Sequence, residues 1–457
     1  MTEYTLFIYR RDLRIVDNKG LNLAMKKFEN IIPIFIFTPE QVGDKNKFKS
    51  DNAIQFMCES LKEVDRDLKN HGSKLHVFKG ENIQVLKRIF HTINVKNIVY
   101  NMDYTPYALK RDKSIKKLCK KNNVNCIEVE DYLINKVGTI VKPNGDPYLI
   151  FTPFKNKGLT FGVDKPSKNR VKNVVKLNKL NTSRIIDYEI NDNILVKGGR
   201  SEGVKMLKKV KQHKNYGKVR NLLSIKSTEL SAYIKFGCIS IREVYWMVRN
   251  LNGLNSTLMS QLFWREFYYY ITFYFPYVLK GKNYNSKYDG IDWVKSKGHY
   301  KKWCEGKTGY PVVDAGMRQL NETGYMHNRA RLITANFLNR MLGYHWSLGE
   351  KYFATKLTDY DPAVNNGNWQ WIASTGTDPK PYFQRLFNPI IQSEKFDPEA
   401  KYIKKWIPEL KDIPAKDIHN WESKHINYNL GEILYVAPIV NYKDARGRSV
   451  KMYREVL

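Results

Sequence analysis

Thr5-Leu6-Phe7-Ile8-Tyr9-Arg10-Arg11-Asp12-Leu13-Arg14 decides how the first part of the chain is built. An unbroken run of β-branched, aliphatic and aromatic residues suits a strand buried on both faces, and the abrupt change to charge ends it. Similar runs recur at Ile31–Phe37, Lys74–Phe78, Asn97–Tyr100 and Asn125–Val129, separated by charged amphipathic segments such as Asn52–Asn70. This alternation predicts an α/β domain over residues 1–135, with a doubly wound, parallel five-stranded sheet. Such sheets bind ligands beyond the carboxyl ends of their strands, but no Gly-x-Gly-x-x-Gly follows the first strand, which argues against a dinucleotide there. Arg10, Arg11 and Arg14, with Asp12, Asp17 and Asn18 nearby, read instead as ion pairs that organise a loop.

Working outward, the periodicity fades from Thr152 to about Arg200 into Lys, Asn, Pro and Gly, as in Lys155-Asn156-Lys157-Gly158 and Lys165-Pro166-Ser167-Lys168. Residues 136–200 are read as an interdomain connector. The β pattern does not return after it. Glu202–Lys211, Thr228–Lys235, Ile241–Asn250, Thr257–Tyr270, Asp314–Thr323, Asn328–Met341 and Leu348–Leu357 carry helical spacing, so residues 201–457 are expected to form an all-α domain.

With 457 residues the chain exceeds what one hydrophobic core normally supports, and 42% hydrophobic content supplies two. The 77 Lys and Arg against 45 Asp and Glu give a net charge of +32, which favours a polyanion such as DNA or RNA, or an anionic membrane surface. Runs such as Lys26-Lys27, Lys116-Lys117 and Lys120-Lys121 read as solvated faces. Cys58, Cys119, Cys126, Cys238 and Cys304 are few, odd in number and free of Cys-x-x-Cys spacing. They argue against a disulfide framework, a structural zinc or a four-Cys cluster, and imply a reducing interior. The most apolar window, Phe267–Leu279, is too short and too rich in Tyr to span a bilayer, so a soluble, intracellular monomer of the cytoplasm or nucleus is expected, with no metal.

The densest concentration of costly residues is Asp359-Tyr360-Asp361-Pro362-Ala363-Val364-Asn365-Asn366-Gly367-Asn368-Trp369-Gln370-Trp371. Asp361 before Pro362 is a good helix start, because the carboxylate accepts free backbone N–H groups and Pro suits the first helical position. Asp361, Asn365 and Trp369 then share one face if the helix continues through Gly367, presenting an acceptor, an amide and an indole. That face suits a polar aromatic ligand; a capped helix with a buried Trp is the alternative.

Several motifs together are specific: Arg11-Asp12-Leu13-Arg14 with Asp17-Asn18, Phe263-Trp264-Arg265-Glu266-Phe267, Gly306-Lys307-Thr308-Gly309-Tyr310-Pro311, Met326-His327-Asn328-Arg329, the 359–371 stretch, and Phe387-Asn388-Pro389 followed by Ser393-Glu394-Lys395-Phe396. Through them the chain resembles the photolyase and cryptochrome flavoprotein family from near Thr5 to near Val456. The resemblance implies an N-terminal antenna-pigment domain and a helical domain holding FAD. It places Tyr216, Arg220, Ser227, Thr228, Leu230, Ser231 and Arg265 at cofactor positions. It also makes Arg331 and Asp359 the ion pair lining the flavin, Asp361 the acceptor for the ring N3–H, and Asn365 the residue facing N5. In photolyases an Asn there goes with a stable reduced flavin, whereas plant-type cryptochromes carry Asp. Ser227-Thr228 ahead of a helical run also suits a pyrophosphate at a helix N-terminus, with an ordinary cap as the alternative.

Trp369, Trp346 and Trp293 match the family's electron relay from surface to flavin. Lesion contacts fall on Gln261, Trp264, Asn328, Arg329, Leu332, Trp371 and Gln392, which implies UV-damaged DNA as the partner. Photolyases are among the enzymes that take their target out of the base stack, and aromatic walls suit such a pocket. Bacterial-type enzymes for cyclobutane dimers usually carry Glu where this chain has Gln261 and Met where it has Leu332. The (6-4) branch places histidines at Asn328 and Leu332, and here His327 stands one position early, so cyclobutane pyrimidine dimers are the expected substrate. Tyr107 and Ala108 occupy positions where folate-using members have Asn and Glu, leaving folate, a deazaflavin or no antenna open. A cryptochrome-type photoreceptor is the competing expectation. The short stretch after Arg446 favours the enzyme, and a light-independent nucleic-acid-binding protein is the weaker third option.

Overall fold

The computed structural model describes residues 2–168, 171–377 and 381–457. Five strands, β1 (Tyr4–Ile8), β2 (Ile31–Phe37), β3 (His76–Lys79), β4 (Val95–Asn101) and β5 (Asn125–Val129), form one sheet in the order β3-β2-β1-β4-β5. Every pairing is parallel, with Thr5 opposite both Ile31 and Asn97. Parallel strands are covered on both faces, and β1 shows why its sequence is apolar throughout. Leu6 and Ile8 enter a layer with Ile34 and Ile98, while Phe7 and Tyr9 enter the opposite layer with Phe35 and Val99. Helix Asp51–Lys69 extends the helical segment expected at 52–70 by one residue at its start, with Ser50 accepting the Ala53 N–H as its cap.

The strand order reverses at β1, so the crevice where such sheets bind ligands lies beyond β1 and β4. Here ion pairs fill it, as the Arg-rich loop suggests: Arg10 bonds Asp112 at 2.9 Å and Arg11 reaches Asp103 at 3.3 Å. Arg14 pairs with Asp131 at 2.5 Å.

Residues beyond 200 are helical among those described. Two boundaries differ from expectation for local reasons. Helix Ser231–Lys235 begins later than the predicted Thr228, because Glu229 takes a left-handed φ of 52° that a continuing helix does not allow. Ser227 and Thr228 therefore lie in the preceding loop, and the picture of a helix N-terminus formed by those two residues is corrected. The predicted Asn328–Met341 helix is α-helical only to Asn336 and continues as a wider π turn over Phe337–Met341.

The connector is not featureless. It contains helix Phe151–Gly158, which packs on helix Thr257–Tyr274, and then runs back along the sheet, where the Val175 N–H donates to the Ile31 carbonyl at 2.8 Å. One apolar cluster runs from Phe7 and Phe56 through Tyr233 to Phe263 and Tyr270, so sheet and helices share a core. Buried charge joins them too: Arg242 bonds Asp17 at 2.9 Å and Asp131 at 2.6 Å. Truncating one partner of such a buried group is costly, because the other charge is left unpaired.

Candidate active site

Helix Pro362–Ile372 is the hub of the helical region, packing against helices Thr257–Tyr274, Asn328–Asn336 and Trp346–Lys356. It starts as its sequence dictates: the Asp361 side chain accepts the Ala363 and Val364 N–H groups at 3.1 and 3.3 Å. It continues through Gly367, where an added Cβ would lie 2.0 Å from the Tyr268 ring, so glycine permits the close approach of helix Thr257–Tyr274.

Asp361 is thoroughly engaged. Its second oxygen accepts from Arg11 and Tyr269, each at 2.6 Å, and from the Tyr132 hydroxyl at 3.1 Å. Burial opposes its ionisation, but Arg11 and Arg265 outweigh that and hold the carboxyl below its ordinary range. Arg265 gives its own donors to the Tyr132 carbonyl and to Glu266, both at 3.1 Å. Asn365 donates to the Glu350 carbonyl at 3.0 Å, which fixes its amide.

Asp359 behaves differently from Asp361. Its Oδ2 accepts from Ser231 at 2.6 Å and from Arg331 at 2.9 Å, while Oδ1 is buried without a hydrogen-bond partner among the described residues. An unmet buried acceptor costs free energy of order 1–3 kcal/mol, which a ligand donor would relieve. Ser227 meets the Tyr325 hydroxyl at 2.9 Å, and the Arg331 guanidinium lies 5.4 Å from the Tyr325 ring. The loop of Ser227, Thr228 and buried Leu230 thus closes on the Arg331–Asp359 pair. Tyr216 begins the helical turn Tyr216–Val219, which Arg220 caps and which packs against helix Thr257–Tyr274; burial raises the Tyr216 hydroxyl pKa although Arg220 opposes it.

The expected relay residues run outward in burial. Trp369 and Trp346 are buried, whereas Trp293 is partly exposed. His345 lies between the outer two, with ring centres 5.3 Å from Trp293 and 5.1 Å from Trp346. Trp369 packs edgewise on Phe353 at 4.9 Å, and Trp346 donates to Asn283 at 2.8 Å.

All seven positions assigned to DNA by resemblance lie at least partly at the surface. Gln261 and Trp264 sit on helix Thr257–Tyr274, Asn328, Arg329 and Leu332 on helix Asn328–Asn336, and Trp371 on the hub helix that touches both. Arg329 bonds Asn221 at 2.8 Å and reaches Gln392 at 3.5 Å. Both tryptophans are backed on one side by residues the sequence did not single out. Phe151 stacks on Trp264 with ring centres 3.7 Å apart and planes 5° apart, and the Arg385 guanidinium lies 3.4 Å from the Trp371 ring centre. No local pattern marks Phe151 or Arg385, because their partners lie outside their own elements. His327 also has a role here: it caps helix Asn328–Asn336, Nδ1 accepting the Arg329 N–H at 3.1 Å.

A parallel sheet, a helical region with partly exposed aromatic residues and a half-buried Arg–Asp pair define a two-part architecture suited to a large aromatic cofactor. Residues 5–169 match the family model of DNA photolyase, and residues 258–455 match that of the FAD binding domain of DNA photolyase. The deoxyribodipyrimidine photo-lyase of Escherichia coli strain K12 is 33% identical, covering 97% of each chain. An archaeal photolyase from Sulfolobus tokodaii, solved with two FAD molecules, is 38% identical, with a TM-score of 0.88 over 99% of this chain and 100% of that one. A Synechocystis cryptochrome is 25% identical, with a TM-score of 0.87 over 99% of each chain. The chain belongs to the photolyase and cryptochrome flavoprotein family, and its helical part is an FAD-binding domain. Among the described residues no helix is long and apolar enough to cross a membrane, and no cluster of His, Cys, Asp and Glu could hold a metal.

Proposed function

We propose that this protein is a light-driven lyase that repairs cyclobutane pyrimidine dimers in DNA, using FAD. The flavin supplies the photoexcited electron when bound, and the protein's contribution is to hold cofactor and lesion together and exclude water. Arg331, Ser231, Ser227, Tyr216 and Arg220 would hold the cofactor, with the unmet Asp359 Oδ1 accepting a ligand hydrogen. Asp361 takes the N3–H role only if one of its hydroxyl or guanidinium donors gives way, since its oxygens already accept five protein donors. Trp264 and Trp371 would stack the extruded bases, Asn328 would bond a pyrimidine edge, and Arg329 would meet the backbone phosphate.

What supports this reading is that Trp264, Asn328, Arg329 and Trp371 are all at least partly exposed on three helices, of which the Trp371 helix packs on the other two and also carries Asn365 and Trp369. The test is illumination of the reduced, flavin-loaded protein with an oligonucleotide holding one cyclobutane thymine dimer. Light-dependent recovery of thymines is expected. Its absence with flavin bound would overturn the repair function and leave the photoreceptor, the alternative to which the likeness to a cryptochrome belongs. Recovery only from a (6-4) photoproduct would reassign the lesion.

An antenna pigment belongs to the same proposal. Tyr107 is 45% exposed, with the Arg111 guanidinium 5.7 Å from its ring centre, and offers a stacking surface for folate, a deazaflavin or a second flavin. Chromatography of the chromophores released on denaturation identifies it.

A further inference from the structure

Trp264 is held more tightly than its partly exposed position requires. Its indole is stacked face to face by Phe151, meets Phe267 edgewise at 5.8 Å and leans on Tyr268 at 5.7 Å. Phe151 itself is fixed. It is the first residue of helix Phe151–Gly158, its ring stands edgewise to Phe267 at 6.0 Å, and the same helix inserts Phe154 against Phe267 and Tyr270 at 5.3 and 4.9 Å. At the far end of that helix Gly158 sits so close to helix Thr257–Tyr274 that a Cβ would lie 2.6 Å from the Phe263 ring. The connector helix is therefore locked along the length of the Trp264 helix, and Phe151 covers one π-face of the indole.

We infer that Phe151 is a positioning residue for base recognition: by occupying one face of Trp264 it sets the plane of the indole and leaves the opposite face as the deck on which an extruded base stacks. An indole free to rotate would lose that freedom on binding, at an affinity cost, whereas a pre-stacked one has already lost it on folding. Aromatic pairs contribute beyond simple area burial, and with ring centres 3.7 Å apart and planes 5° apart Phe151 lies flat over the indole face. The domain connector thereby takes part in substrate selection. This inference rests on the reading of Trp264 as a lesion contact, so its test needs one arm that does not depend on DNA.

Fluorine NMR of the full, flavin-loaded chain labelled with fluorotryptophan supplies that arm, with the Trp264 resonance assigned by Trp264→Phe. Phe151→Leu is expected to shift or broaden the Trp264 signal and leave the other tryptophans in place, and Phe151→Tyr to restore it. In the second arm, affinities are measured for an oligonucleotide with one cyclobutane dimer and for its undamaged twin. Phe151→Leu should weaken dimer binding about two- to tenfold, the range an aromatic pair represents. Binding to undamaged DNA and flavin photoreduction should stay unchanged, and Phe151→Tyr should bind the dimer as the parent does. Phe151→Met, unbranched and better able to fill an irregular gap, serves the same comparison if the Leu variant does not fold. An unmoved Trp264 resonance, or equal loss of affinity for damaged and undamaged DNA, overturns the positioning role. A shifted resonance with no preference for the dimer even in the parent protein would instead sink the lesion reading.

Discussion

Gly349 offers the sharpest test of how the inner tryptophan is packed. It lies within helix Trp346–Lys356, and an ideal Cβ built there would be 2.1 Å from Trp369 Cη2, 2.5 Å from Cζ3 and 2.7 Å from Leu338 Cδ2. Carbon atoms rest at about 3.5–4 Å, so in Gly349→Ala the indole must retreat by roughly 1.5 Å. Trp369 is only 2% exposed and is wedged edgewise against Phe353 at 4.9 Å and Trp303 at 6.2 Å, so it has little room to do so. Forcing a methyl into such a site costs about 1–3 kcal/mol, while replacing a mid-helix Gly by Ala returns about 1 kcal/mol. The expected net effect is a destabilisation of up to about 2 kcal/mol, read as a lower urea midpoint by circular dichroism. Flavin photoreduction under blue light with an external reductant should also slow, because the displaced indole belongs to the proposed relay. A Gly349→Ala protein that is more stable than its parent and photoreduces at the same rate would refute the packing argument.

Trp369→Phe should abolish photoreduction yet leave repair by the chemically reduced protein intact; equal loss of both would show the relay to be misassigned. Acid stability should carry the signature of two neutral histidines. Burial, the largest cause in each, lowers both His327 and His76 to about 4 from the ordinary 6.5, so the unfolded chain binds protons that the folded one refuses. Stability therefore falls as pH drops from 6.5 towards 4, by about 3 kcal/mol at most for each histidine. His327→Asn, which keeps a capping oxygen but cannot titrate, should flatten that fall, and an unaltered acid profile would contradict the neutral cap. Binding to lesion DNA should weaken linearly in log–log terms with salt, and Arg329→Ala should reduce the slope by about 1. An unchanged slope would remove Arg329 from the phosphate contacts.

Much of the fold was legible because it is written in short-range pattern. The apolar runs gave strands within a residue or two of their observed ends, since a strand buried on both faces has few other compositions open to it. Asp361-Pro362 gave the hub helix, because cap chemistry is local. Where a boundary was missed, one residue's backbone decided it, as the left-handed Glu229 does ahead of Ser231. The motifs gathered candidate residues by family, but not the bonds they would make: that Asp361 is filled by Arg11, Tyr132 and Tyr269 while Asp359 keeps an open acceptor appears only when the segments after β1 and β5 and two helices converge.

By itself, then, the sequence determined the parallel sheet, the helical second half and the capped helix that carries Asp361, Asn365 and Trp369, all consequences of spacing within one or two turns. Tertiary structure alone decided that Phe151 of the connector backs Trp264, that Arg385 covers Trp371 and that glycines 349 and 367 make room for aromatic rings. These contacts join residues up to more than a hundred positions apart, and a stacking face or a missing Cβ acquires meaning only from the atom that packing brings against it.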